Sequence, residues 1–242
     1  MNASSITPYK NEQSKKQQVS DMFDHIAPRY DFLNHFLSAG IDKLWRRKSI
    51  RRVGLSSAEK VLDIATGTGD LAIEVLRQVK VKELVGVDIS QKMMEIGEKK
   101  VKDLGLGQIR FQLEDSESLS FSDNSFDLIT VAFGVRNFEH LEKGLSEMYR
   151  VAKPGSKILI LEFSKPEYFP FKQIYQFYFS FILPIIGRMI SKDNAAYSYL
   201  PESVKGFPYG KKFEYILSSL GFKNIKSQKL TFGIATSYLA EK

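Results

Sequence analysis

The sequence predicts an α/β fold built around a mostly parallel, seven-stranded sheet, and three observations carry that prediction. Five short apolar runs lie between residues 60 and 163, each the length of a buried strand. Amphipathic stretches at 70–79, 91–104 and 141–152 separate most of them, the alternation expected of βαβ units. Two further β-rich runs, near 222–229 and 234–240, read as an antiparallel hairpin closing the sheet.

Residues 1–18 are polar and rich in Lys, Gln and Ser, the composition of a loose segment. From Val19 to Val53 the apolar positions Met22, Phe23, Ile26, Phe32, Leu33, Phe36 and Leu37 recur at helical spacing. Pro28 and Gly40 are expected to divide this stretch, which makes 19–55 a helical N-terminal extension. The apolar runs are Val61–Ala65, Leu84–Asp88, Ile109–Leu113, Phe126–Val131 and Lys157–Glu162. An aromatic-rich insertion covers 165–208, and a helix-like stretch at 209–220 precedes the hairpin. One domain over 19–242 accounts for all of these elements.

Composition narrows the chemistry. The 242 residues include no cysteine, which excludes disulfides, thiol catalysis and thiolate metal sites and suits a cytoplasmic location. The net charge of +7 is unevenly placed: +5 in residues 1–60, −2 in 61–200 and +4 in 201–242. Basic flanks permit contact with an anionic surface, whether RNA or a bilayer, but are read first as solvated surface lysines. The first twenty residues lack the apolar core of a signal peptide. In the apolar stretch Tyr168–Ile190, the uncharged part Gln173–Gly187 reaches about 22 Å as a helix, short of a ~30 Å hydrocarbon core. A peripheral position on the inner face of the membrane is compatible with this; a spanning helix is not expected.

The most informative stretch is Asp63-Ile64-Ala65-Thr66-Gly67-Thr68-Gly69-Asp70. It runs off the first strand into a helix, where Gly67 and Gly69 allow a ligand to approach the backbone. Asp88 ends the second strand, 21 residues after Gly67, where a carboxylate can accept from both hydroxyls of a ribose. A tight turn with Asp88 as a helix cap is the structural alternative. The glycine pattern also fits a dinucleotide loop, but Asp63 would place a carboxylate near the ligand, which disfavours a pyrophosphate and suits a cation. S-adenosylmethionine, with its sulfonium and ammonium, is therefore the preferred cofactor.

With these residues in place the chain resembles the class I methyltransferases, through Asp63–Gly69, Asp88 and Lys153-Pro154-Gly155-Ser156. It also resembles the quinone-biosynthesis C-methyltransferases. That likeness rests on Met22–Asp31, Gly40-Ile41, Leu44-Trp45-Arg46, Phe133-Gly134-Val135-Arg136-Asn137 and Leu161-Glu162-Phe163-Ser164-Lys165-Pro166. The resemblance implies a Rossmann-like class I methyltransferase fold and methylation of demethylmenaquinol or a polyprenyl-methoxybenzoquinol at a ring carbon, with a lean to the naphthoquinol. It also implies cofactor contacts at Thr68, Asp88, Asp115 and Ser116. One departure is Ala132, where some relatives carry a serine.

Such a reaction needs orientation and a more nucleophilic ring carbon. Arg136, after the fourth strand, is the first candidate to stabilise a quinolate oxygen, with Asn137 assisting; a loop-fixing salt bridge is its structural alternative. Asp70 is a candidate proton acceptor or a helix cap. Tyr30 and Phe133 are candidate substrate contacts, as are Phe177 and Phe181 in the aromatic stretch. That stretch is either a core helix or an apolar entrance resting on the bilayer. His25, His35 and His140 rank below these, and no His/Asp/Glu set shows metal-ligand spacing. The basic cluster Trp45–Arg52 leaves an RNA methyltransferase open, although no nucleic-acid motif accompanies it. A non-catalytic quinone-binding subunit is a third reading. A homo-oligomer and membership of a quinone-biosynthesis complex both stay open.

Overall fold

Short β-prone runs separated by amphipathic stretches pack into one seven-stranded sheet of order β3-β2-β1-β4-β5-β7-β6. The structure is a computed structural model that describes residues 6–9, 11–178, 181 and 194–242. The strands are β1 (Ser57–Ile64), β2 (Lys80–Asp88), β3 (Ile109–Leu113), β4 (Phe126–Ala132), β5 (Ala152–Phe163), β6 (Lys223–Leu230) and β7 (Ala235–Glu241). Pairing from β3 through β5 is parallel. β7 runs antiparallel to both β5 and β6, so it is the one reversed strand among those described.

Period-two patterning explains why the sheet sits inside. Leu62, Ile129, Ile158 and Ile160 join a cluster on one face with Leu145, Met148 and Phe213. Their neighbours Val61, Leu128 and Leu159 face the other way, against Ile50, Val53, Leu71 and Val75. Both faces of each central strand are thus covered, which demands continuous apolar runs rather than alternating ones. Truncating such a leucine to alanine costs about 2–5 kcal/mol. The covering helices are α2 (Ile41–Val53), α3 (Asp70–Gln78), α4 (Gln91–Asp103), α5 (Leu141–Val151) and, later, α8 (Lys211–Ser219). Between α5 and α8 lie α6 (Phe171–Phe177) and α7 (Asn194–Gly206).

The N-terminal region differs from expectation in two ways. Helix α1 (Lys15–Leu37) begins inside the segment read as loose, capped by Ser14, whose side chain accepts from the Gln17 N–H. It also continues through Pro28. Tertiary anchoring carries it across the imide: the Asp24 carboxylate accepts from Ser90 Oγ at 2.6 Å and the Lys92 N–H at 3.2 Å. Ser20 Oγ donates to the Ile89 carbonyl at 3.0 Å. Val19 and Met22 pack on Ala196 and Tyr199 of α7. Gly40, at φ +75, makes the turn into α2, as its position predicted. Among the described residues no helix is long and apolar enough to cross a membrane.

Candidate active site

The sheet changes winding direction between β1 and β4, and ligands of open α/β sheets sit at such a point. Two non-glycine residues there occupy the left-handed region, Ala65 after β1 (φ 50) and Phe133 after β4 (φ 58). Each costs on the order of 1–3 kcal/mol, a cost met with at ligand sites. Gly134 allows the two strand ends to approach, since a Cβ there would lie 2.5 Å from the Ala65 Cβ. Gly67, at φ +56, donates its N–H to Asp88 Oδ2 at 2.8 Å, and Ser90 N–H meets Asp88 Oδ1 at 2.9 Å. Burial pushes the Asp88 carboxyl up, against these donors.

These loops border a cavity open to solvent, about 690 Å³ with its mouth included, lined by Gly67, Asp88, Asp115, Ser116, Phe133 and Asn137. Ala132 lines it too. Asn137 keeps a buried Oδ1 with no hydrogen-bond partner among the described residues. An acceptor wall of Asp88, Asp115 and Asn137 suits a ligand bearing hydroxyl and ammonium donors, so these residues fit S-adenosylmethionine.

A second cavity, of about 810 Å³, lies beneath α1, α2 and α7. Phe23, Tyr30 and Phe133 line both. Its aromatic wall joins Phe133 to Phe163 at 4.5 Å between ring centres and to Trp45 at 6.1 Å. Trp45 is held by its indole N–H, which donates to Thr231 Oγ1 at 2.7 Å. Two guanidinium groups flank the wall: Arg46 stands 5.7 Å from the Phe133 ring centre and Arg136 5.3 Å from that of Phe163. Arg136 pairs with Glu162 at 3.0 Å, donates to the Phe133 carbonyl, and retains a buried Nε with no partner among the described residues. Glu162 is fully buried, which pushes its carboxyl up although Arg136 pulls the other way. Tyr30 is likewise pushed up by burial, opposed by Arg136 and Arg46.

Several expected site residues lie elsewhere. Asp63 does not reach the cavity; its carboxylate sits beneath the glycine loop, accepting from Thr66 Oγ1 at 2.7 Å and Thr130 Oγ1 at 2.6 Å. Burial raises its pKa to about 6. Thr68 also turns inward, donating to Asp31 at 2.5 Å and accepting from Lys100 at 3.2 Å. Gly69 supports the turn at φ +81. Asp70 faces Lys100 at 2.8 Å and Arg46 at 3.5 Å. Burial pushes Asp70 up, but these cations outweigh it and leave the carboxyl below its usual range, a poor setting for a base. Histidine and acid positions that looked unrelated in sequence do converge: one ligand atom each of His35, Asp42 and Asp70 lie within 4.8 Å of one another. Arg46 already bonds the Asp42 oxygen that His35 approaches at 2.9 Å, so a protein cation fills this trio.

Phe177 and Phe181 are both exposed, 5.3 Å apart between ring centres, and line neither cavity. Phe179 and residues 182–190 of the aromatic stretch lie outside the described residues. The basic cluster at 45–52 is partly absorbed into the body: Trp45 and Arg46 are buried, and Arg52 donates to the Ser237 carbonyl at 2.9 Å. Sequence reasoning missed Arg46, Glu162, Lys15 and Lys16 as site residues. Glu162 did carry a signal, a carboxylate inside an apolar strand that must find a partner.

A family model described as the ubiE/COQ5 methyltransferase family matches residues 11–242. A demethylmenaquinone methyltransferase of Bacteroides fragilis is 51% identical over 238 residues, 98% of this chain and 97% of that protein. The Porphyromonas gingivalis protein of the same name is 47% identical over 98% of each chain. A ubiquinone/menaquinone biosynthesis C-methyltransferase, UbiE, of Geotalea daltonii is 46% identical over 94% of this chain and 97% of its own. Among solved structures, the [4+2]-cyclase SpnF aligns with a TM-score of 0.68 at 17% identity, covering 94% of this chain and 96% of that one. A SAM-dependent methyltransferase of Aquifex aeolicus aligns at 0.59 with 22% identity, over 81% and 88%. These structural likenesses establish a shared fold.

Proposed function

The chain belongs to the ubiE/COQ5 methyltransferase family, and from that premise we propose that it methylates a ring carbon of a polyprenylated quinol, with demethylmenaquinol as the substrate. One observation carries the reading: a cavity walled by acceptors and a cavity walled by aromatic rings and guanidiniums meet at Phe23, Tyr30 and Phe133. When bound, S-adenosylmethionine supplies an electrophilic methyl group on a sulfonium. Asp88 and the Gly67 loop hold its ribose end, and Asp115 with Ser116 its adenine end. The rings of Trp45, Phe133 and Phe163, packed on one another, form one wall against the quinol nucleus and exclude water from that side.

Arg136 and Arg46 act on the quinol oxygens. A fixed guanidinium favours the quinolate left when the hydroxyl proton passes to solvent, which raises electron density at the adjacent ring carbon. Arg136 stays protonated, so it stabilises charge rather than accepting the proton. Asn137 holds the same loop, its amide facing the Phe133 carbonyl at 3.4 Å. Asp70 and Asp42 anchor Arg46 instead of serving as bases.

The exposed aromatic face rests on the membrane that dissolves the substrate. Tyr168, Phe169, Ile174, Phe177, Phe181 and Phe232 are all exposed, beside Lys165, Lys172 and Lys229, a composition suited to an anionic interface. The reaction is tested by assaying methyl transfer to reduced demethylmenaquinone and to a polyprenyl-benzoquinol side by side. Faster turnover of the naphthoquinol is expected, and transfer to neither would reject the reading.

A further inference from the structure

The first turn of α1 was the least informative stretch of sequence, yet Lys15 is only 3% exposed. A buried ammonium persists only where acceptors surround it. Its Nζ donates to the Phe138 carbonyl at 3.0 Å and reaches the Arg136 carbonyl at 3.4 Å. Its backbone N–H donates to Glu139 Oε1 at 3.1 Å. The next residue, Lys16, pairs with Asp115 at 2.5 Å and Glu117 at 3.7 Å. Successive lysines therefore clasp two different loops.

The loop that Lys15 grips serves both cavities. Phe133 lines the two of them, Arg136 the aromatic one, and Asn137 and Phe138 the acceptor-lined one. Fixing the carbonyls of residues 136 and 138 pins the backbone on either side of Asn137. It restrains the 3-10 turn Val135–Asn137 from which Arg136 reaches the Phe163 ring. Glu162 holds the same guanidinium from β5. We infer that Lys15 is a positioning residue: through the Arg136–Phe138 carbonyls it sets the Arg136 guanidinium against the quinol, whereas Lys16 reaches the cofactor cavity through Asp115. The inference rests on the quinol-methylating role proposed above.

The test compares K15M, K15R and K16M with the wild-type protein. It reads S-adenosylmethionine affinity by calorimetry, kcat and KM for reduced demethylmenaquinone, and amide hydrogen exchange. K15M is expected to lower kcat about 10- to 100-fold, as two orphaned buried carbonyls imply, with a smaller loss of cofactor affinity through Asn137. Exchange should quicken at Asn137 and Phe138, whose N–H groups bond to Gly134 and Val135, and stay unchanged at Gly67. K15R, which keeps the charge and its donors, should recover most of the lost turnover. K16M should shift cofactor affinity through the loss of its Asp115 pair.

Wild-type kcat with unchanged exchange in K15M would overturn the inference, as would equal losses of cofactor affinity and turnover. Should K15M not fold, K15Q keeps a donating amide and is read by the same split. A wild-type protein that binds cofactor but methylates no quinol overturns the functional reading instead, and the exchange comparison then decides the role of Lys15 alone.

Discussion

The two cavities share a wall and are similar in volume, about 690 and 810 Å³, but they are built from opposite materials. The acceptor-lined cavity is made by strand ends: the positive-φ loop at Gly67, Asp88 closing β2, and Asp115 just past β3. The aromatic cavity is made by side chains from α1, α2, α7 and the ends of β4 and β5, brought together only by tertiary packing. In the first, the sheet backbone fixes where the acceptor side chains Asp88 and Asp115 stand. The second depends on rings and guanidiniums that must each be held by a partner, Trp45 by Thr231, Arg136 by Glu162 and Arg46 by Asp42. On the proposed assignment of the two cavities, cofactor recognition is inherited with the fold, while substrate recognition is assembled on it.

That contrast can be broken by separating binding from turnover. The largest effect is expected from R136M, with a loss of about 10²–10³ in kcat and cofactor affinity preserved by calorimetry; parallel losses would show that the cavities are not separable. D88N should do the reverse, weakening cofactor binding about 10- to 100-fold through its charge-assisted hydrogen bonds. In that variant kcat at saturating cofactor should stay close to wild type. G134A tests the shared wall. The new Cβ would meet Ala65 at 2.5 Å, so a loss of about 1–3 kcal/mol in unfolding stability is expected, with both affinities reduced.

Smaller effects sharpen the picture. Burial lowers the Lys15 pKa to about 8 despite Glu139 and Glu117, with Arg136 adding to the depression. Between pH 8 and the unfolded value of 10.5, the unfolded chain therefore binds more protons at this site, and stability rises with pH across that window. Below pH 8 the buried charge is a standing cost. The stability of wild type relative to K15M should climb as pH rises from 8 to 10.5, measured by denaturant unfolding; a flat difference would contradict the burial. The smallest effect on chemistry is expected from the triple variant F169S/F177S/F181S. It should reduce flotation with anionic vesicles while leaving transfer to a short-tailed quinol unchanged.

Legibility followed the range of the interactions. The strand runs were readable because both sheet faces are covered, so period and length alone mark them. The glycine loop and Asp88 were readable because their geometry is local to one βαβ unit. Asp63, Thr68 and Asp70 stood in the right stretch, but which way each side chain turns depends on Thr130, Asp31, Lys100 and Arg46, remote in sequence. Lys15 gave no signal, since its partners lie more than 120 residues away. Pro28 was read by its intrinsic tendency, which the anchoring of Asp24 on α4 overrides.

The placing of β7 between β5 and β6 has a consequence in time. Glu162 of β5 sits opposite Thr236 of β7, so the strand that carries the Arg136 partner has an open edge until residues 235–241 have been synthesised. A nascent chain can complete its glycine loop before then. It cannot seal the sheet beside Glu162, nor shield that edge from pairing with another chain. A polypeptide interrupted before β7 is therefore marked by the exposed edge of β5.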